Sequence, residues 1–76
     1  MRLKELREDR DIRQQTLAEY LHIRKNTYSQ YENGQRQLPL EHLMQLARFY
    51  HTSTDYILGL TDEFQPYPPS KRSPAP

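Results

Sequence analysis

A chain of 76 residues without cysteine accommodates one small domain and excludes a disulfide framework or a thiolate metal site. Its stability must come from an apolar core, which at this size contributes roughly 3–5 kcal/mol net and makes self-association favourable. A net charge of +1 supplies no bulk argument for nucleic acid, so any such binding face has to be local.

The N-terminus, MRLKELREDR, alternates charges without an apolar run. This excludes a secretion signal and a membrane span and makes the cytoplasm the default compartment. A first helix is predicted over Leu3–Asp9, with Leu3 and Leu6 inward and Arg2, Lys4, Glu5 and Glu8 solvated. Asp11 and a buried Ile12 lead into a second helix, Gln14–Leu21, on which Leu17, Ala18 and Leu21 share a face. His22 then stands at a helix C-terminal position that often requires φ > 0, a conformation histidine tolerates better than most residues. A third helix is predicted over Lys25–Glu32, with Tyr28 and Tyr31 three apart on its inner face and Asn33-Gly34 as a left-handed stop.

Leu38-Pro39 is expected to open the fourth helix, since proline suits a first turn and Glu41 then sits near the positive end of the helix dipole. Leu40, Leu43, Leu46, Ala47 and Tyr50 form the clearest 3.6-residue stripe in the chain. Ser53 suits the N-cap of a short fifth helix containing Tyr56, Ile57 and Leu58 before Gly59. Beyond Asp62, the segment EFQPYPPSKRSPAP carries five of the six prolines and little apolar material. It cannot support a core, so the expected organisation is a domain over 1–62 and a flexible tail over 63–76.

The stretch Gln14–Gly34, QQTLAEYLHIRKNTYSQYENG, reads as two short helices joined by a tight turn, a geometry that lets one helix enter a DNA groove. Ala18 permits close helix approach, Ile23 plugs the turn, and Lys25, Asn26, Ser29 and Gln30 are left on the outer face. Together with the later phrase TDYILGLTD, this stretch resembles the lambda Cro and C1 repressor type of helix-turn-helix domain, the xenobiotic-response-element family of bacterial and phage regulators, over about 1–62. The resemblance implies an all-α, five-helix, lambda-repressor-like fold. His22 departs from the glycine usual there, which implies strain at the turn and no change of fold.

The resemblance also implies site roles. Lys25, Asn26 and Gln30, with Arg24 beside them, fall on the base-reading face of the third helix; lysine donates to guanine, and Asn or Gln can pair with adenine through two hydrogen bonds. Asn26 and Gln30 are one helical turn apart, so both can face one groove floor. Gln14, Ser29, Asn33, Gly34 and Arg36 are expected at DNA phosphates, Gln14 through its side chain and the helix N-terminal amides. Arg7 and Glu32 are expected to pair and tie the first helix to the third. The plainer alternative makes the polar residues of the third helix ordinary solvated surface, and the surrounding motif outweighs it.

Charge distribution decides little. Residues 14–36 carry Arg24, Lys25 and Arg36 against Glu19 and Glu32, while residues 37–62 carry Arg48 against Glu41, Asp55 and Asp62. The tyrosines, with Phe49, would suit stacking on single strands, but Tyr28, Tyr31, Tyr50 and Tyr56 are core-spaced and no strand pattern displays them. His22, His42 and His51 lie on separate elements, with no metal-ligand spacing and no Gly-rich phosphate loop. Neither catalysis nor a cofactor, metal or small-molecule ligand is expected.

The expected function is sequence-specific transcriptional regulation, as a repressor, with the third helix in the major groove of double-stranded DNA. One such domain covers few base pairs, so a homodimer on a two-fold operator is expected, paired near Tyr56–Leu60 with Phe64 packing across the axis. No attached sensory domain is expected, which leaves control to expression level, proteolysis or a partner. The competing reading is a protein-interaction module, antitoxin-like or phage-encoded, on the same fold.

Overall fold

The computed structural model describes residues 1–66 and 68. Among these residues are five helices: α1 (Leu3–Asp9), α2 (Gln14–Leu21), α3 (Lys25–Asn33), α4 (Leu40–Tyr50) and α5 (Thr54–Leu58). All five stop by the same local device. Asp11, His22, Gly34, His51 and Gly59 each turn left-handed, with φ of 54°, 58°, 75°, 55° and 84°. The N–H of the following residue then reaches back five positions to a helix carbonyl: Ile12 to Arg7, Ile23 to Ala18, Gln35 to Gln30, Thr52 to Ala47 and Leu60 to Asp55, all at 2.8–3.1 Å. These are Schellman closures, which satisfy the last carbonyls and reverse the chain within two residues. Repeated reversals let helices of 5 to 11 residues cover one another in so short a chain.

The reversals gather one stripe from each helix. Leu3 and Leu6 of α1, Leu17, Ala18 and Leu21 of α2, Tyr28 and Tyr31 of α3, the Leu43/Leu46/Ala47/Tyr50 stripe of α4 and Ile57 of α5 form a single buried cluster. The burial follows the expected 3.6-residue periodicity on each helix. Ile12 and Ile23, the residues after the first two left-handed turns, pack against its edge, half-buried.

Three local expectations change. Pro39 lies outside α4 as its N-cap (φ −62°, ψ 147°), and Leu40, 68% exposed, begins the helix without joining the core. Proline needs no amide partner there, and its carbonyl accepts the Leu43 N–H at 3.0 Å. Asn33 stays helical, leaving the left-handed position to Gly34 alone. Arg2, expected in solvent, is half-buried: its guanidinium donates to the Tyr56 and Thr61 carbonyls at 2.9 and 2.6 Å, pairs with Asp62, and lies 4.3 Å from the Tyr56 ring centroid. The chain start is thereby clamped to α5.

Packing also continues past Asp62. Phe64 stacks edge-on against Tyr56 with centroids 5.3 Å apart, Arg10 sits over its ring, and its carbonyl accepts the Thr52 hydroxyl at 2.6 Å. A large aromatic ring needs only one apolar wall, and the Tyr56 surface supplies it. Residues 67 and 69–76, most of the expected tail, lie outside the described residues.

Candidate nucleic-acid interface

The α2–turn–α3 unit has two distinct faces. Tyr28 and Tyr31 hold α3 to the core from inside, while Ala18, fully buried, lets α2 approach closely. Anchoring the inner face turns Lys25 and Asn26 outward into solvent, with Ser29 and Gln30 half-exposed beside them. Arg24 is the N-cap residue of α3, in extended conformation and exposed. The four expected base-reading residues therefore lie along one side of α3, and none is used by the core.

Behind this face lies an ion pair. Arg7 Nε donates to Glu32 Oε2 at 2.7 Å and Nη2 to Oε1 at 3.2 Å, while Nη1 donates to the Ile12 carbonyl at 2.9 Å. The Glu32 side chain is 1% exposed and that of Arg7 14%. Gln14 joins them, donating from Nε2 to Glu32 Oε1 at 3.1 Å. A single carboxylate on α3 thus receives donors from α1 and from the first residue of α2. Burial by itself would raise the Glu32 carboxyl, but the bond from Arg7, then the neighbouring Tyr28 hydroxyl and the bond from Gln14, outweigh it and hold the group below the usual carboxylate range. The Glu32 bond in turn raises Arg7 above its ordinary value. The Tyr28 hydroxyl, fully buried beside the same carboxylate, makes no close hydrogen bond among the described residues. Burial and then the Glu32 charge push its hydroxyl far above the usual tyrosine range.

Gln14 lies at the rim of an open cleft lined by Lys4, Arg7, Arg13, Gln15 and Lys25. Four cations and two amides face this space, and no carboxylate among the described residues lines it. Arg13, the N-cap residue of α2, makes no capping side-chain hydrogen bond. Lys4 and Arg13 were not singled out by the sequence; the available signal was the spacing of Lys4 and Arg7, one helical turn apart on α1, and the position of Arg13 immediately before α2.

On the far side of α3, Asn33 and Gly34 are exposed, and the turn brings Arg36 back over the helix. Arg36 Nε donates to Gln30 Oε1 at 2.9 Å. This joins a residue expected at phosphates to one expected at bases. Of the residues expected at phosphates, Gln14 lies at the cleft and bonds Glu32, Ser29 lies half-exposed on α3 beside Gln30, and Asn33, Gly34 and Arg36 belong to the last residue of α3 and the turn after it.

No helix among the described residues is long and apolar enough to cross a membrane. The aromatic residues are largely structural: Tyr28, Tyr31 and Tyr50 are buried, Phe49 and Tyr56 half-buried, and Tyr20 closes on Phe49 while its hydroxyl donates to the Gln45 carbonyl.

A helix-turn-helix family model matches residues 3–57, the segment from α1 into α5. Among curated proteins, the chain is 45% identical over 65 residues to the uncharacterized HTH-type transcriptional regulator YobD of Bacillus subtilis, covering 86% of this chain and 58% of that protein. It is 41% identical over 58 residues to the HTH-type transcriptional regulator ImmR of the same organism, covering 76% and 46%. It is 39% identical over 49 residues to the cryptic phage CTXphi transcriptional repressor RstR of Vibrio cholerae, covering 64% and 44%. The chain spans about half the length of these relatives. No solved structure matches it.

Proposed function

The chain belongs to the helix-turn-helix family of the Cro/C1 type, and from that premise we propose that it is a sequence-specific DNA-binding transcriptional regulator, a repressor, which places α3 in the major groove. The observation that carries this reading is the division of labour around α3. Its outer side presents Lys25, Asn26 and Gln30, side chains able to read base edges. The adjoining cleft presents Lys4, Arg13, Gln14 and Lys25, donors suited to phosphate oxygens. A bound duplex would meet base readers flanked by phosphate contacts, with Arg36 and the Gly34 turn at the other strand.

The proposed working species is a homodimer on a two-fold operator. Phe64 is engaged within its own domain; beside α5, Leu58, Leu60 and Met1, at 41%, 73% and 61% exposure, are apolar side chains that a second copy could cover, while Leu40 and Met44 are exposed on α4. So small a surface supports weak pairing, expressed mainly as cooperativity between half-sites about 34–36 Å apart. The relatives named regulators or a repressor support the same reading.

The test is a mobility-shift titration on duplexes selected from a random library, at two salt concentrations, with scrambled duplexes as reference. Preference for selected duplexes at both salts supports specific binding. Equal affinity for selected and scrambled duplexes, or none, rejects it, and a protein-interaction role on the same fold then replaces it.

A further inference from the structure

We propose that Arg36 sets the base read by Gln30, by pinning the amide oxygen so that the pair offers only hydrogen-bond donors to the groove and selects guanine over adenine. The proposal rests on the DNA-binding reading above and specifies it at one base.

The orientation of Gln30 follows from hydrogen-bond chemistry. Amide oxygen and nitrogen are ordinarily hard to tell apart by shape, but arginine has five donors and no acceptor. Whatever atom of Gln30 faces Arg36 Nε at 2.9 Å must therefore be the oxygen. The amide nitrogen, a donor, is directed away from Arg36.

The contact is held by the backbone as well as by the side chains. Gly34 turns left-handed at φ 75°, and the N–H groups of Gln35 and Arg36 both donate to the Gln30 carbonyl, at 2.9 and 3.3 Å. The Arg36 backbone is thus fastened to the residue whose side chain it holds. The αL turn at Gly34 produces this return, so the pairing is built into the end of the recognition helix.

The consequence for base choice is geometric. A glutamine reads adenine by accepting from N6 and donating to N7, which requires both amide atoms at one base edge. With Oε1 directed at Arg36, that arrangement is lost even though the oxygen keeps a second lone pair. What remains is the Nε2 donor of Gln30, and Arg36, whose guanidinium carries donors and no acceptor, adds no acceptor to it. Guanine displays two acceptors in the major groove, O6 and N7, whereas adenine places a donor beside its N7. A donor-only pair matches guanine and opposes the adenine N6 amine. This differs from the adenine preference that glutamine by itself suggests.

The experiment is site selection from a random duplex library with the full chain, its Gln30→Ala variant and its Arg36→Met variant. Arg36 is exposed, so its replacement by an unbranched apolar chain leaves the core untouched. The Gln30→Ala selection identifies the base position that depends on Gln30. At that position the unmodified chain is expected to favour guanine over adenine by about tenfold or more, and Arg36→Met is expected to raise adenine to at least parity as the amide is released. Adenine already preferred by the unmodified chain, guanine undiminished in Arg36→Met, or no position that depends on Gln30 would each overturn the proposal while leaving specific DNA binding intact. Failure of every form of the chain to enrich any sequence would instead remove the DNA-binding reading, and the proposal with it.

Discussion

Glu32 of α3 and Arg7 of α1 meet through two N–H···O bonds, at 2.7 and 3.2 Å, with the carboxylate almost wholly out of water. A carboxylate so placed is tolerable only while its donors remain, because an unpaired buried charge costs more than the pair contributes. Gln14, at the rim of the basic cleft, draws its position from the same carboxylate. One ion pair therefore sets the relation between the helix that would read bases and the amide that would hold a phosphate.

Arg7→Ala is accordingly expected to destabilise the domain by about 3–5 kcal/mol, enough to unfold much of a chain this small. Arg7→Met combined with Glu32→Leu is expected to regain most of that loss, short of full recovery because Gln14 loses its acceptor. Chemical denaturation of the single and double variants measures the coupling. Additive losses would show that the two side chains act independently.

The same pair fixes the behaviour in acid. Glu32 has a folded-state value below its ordinary 4.5, so its contribution is complete above about that pH and is lost as pH falls through the lower folded value. Melting temperature is expected to hold from neutral pH down to about 5 and then to fall. Glu32→Gln is expected to be less stable at neutral pH but to show a shallower acid decline. Parallel curves for the two proteins would assign the acid transition to other carboxylates.

Tyr50 carries a hydroxyl that is buried without a hydrogen-bond partner among the described residues. Burial, then the Glu32 charge, pushes it up to about 12 from an ordinary 10.0. Because the raised value belongs to the folded state, the contribution is complete below pH 10 and is lost as pH climbs through about 12. Tyr50→Phe is expected to leave stability at pH 7 unchanged or higher by about 1 kcal/mol and to weaken the alkaline decline. A substantial loss at pH 7 would reveal a partner for the hydroxyl.

His22 and His51 occupy left-handed helix ends with φ of 58° and 55°, both exposed. A side chain at such an angle costs about 1–2 kcal/mol relative to glycine, less what glycine loses in unfolded-state entropy. His22→Gly and His51→Gly are each expected to raise stability by about 0.5–1 kcal/mol. Thermal melts of the single and combined variants check this, and lower melting temperatures would mean that the imidazoles make contacts worth more than the strain.

Lys4→Ala and Arg13→Ala are expected to weaken binding to selected and scrambled duplexes alike and to lower the salt dependence by about one unit of slope each. Asn26→Ala is expected to cost roughly 1–3 kcal/mol at one base position and to leave scrambled binding nearly unchanged. Titrations across a salt series separate the two classes. Losses at Lys4 or Arg13 confined to selected duplexes would move those residues to base reading.

Helix positions and most helix ends were legible in the chain because they depend on neighbours within one turn. The Leu43/Leu46/Ala47/Tyr50 stripe, Ser53 accepting the Tyr56 N–H, and left-handed ends at His22 and Gly34 are local relations, written in spacing and residue type. The Arg7–Glu32 pair was accessible only through family resemblance, since 25 residues separate its members. The clamp by Arg2, the seat of Phe64 on Tyr56, and the bond from Gln14 to Glu32 had no comparable local signal. Each requires segments distant in sequence to meet, and whether a charged or aromatic side chain points to water or to a partner is decided by the packed surface it finds there. Arg36 and Gln30 are only six residues apart, yet their contact also depended on the fold, because the angle of the Gly34 turn decides whether the arginine returns over the helix or departs from it.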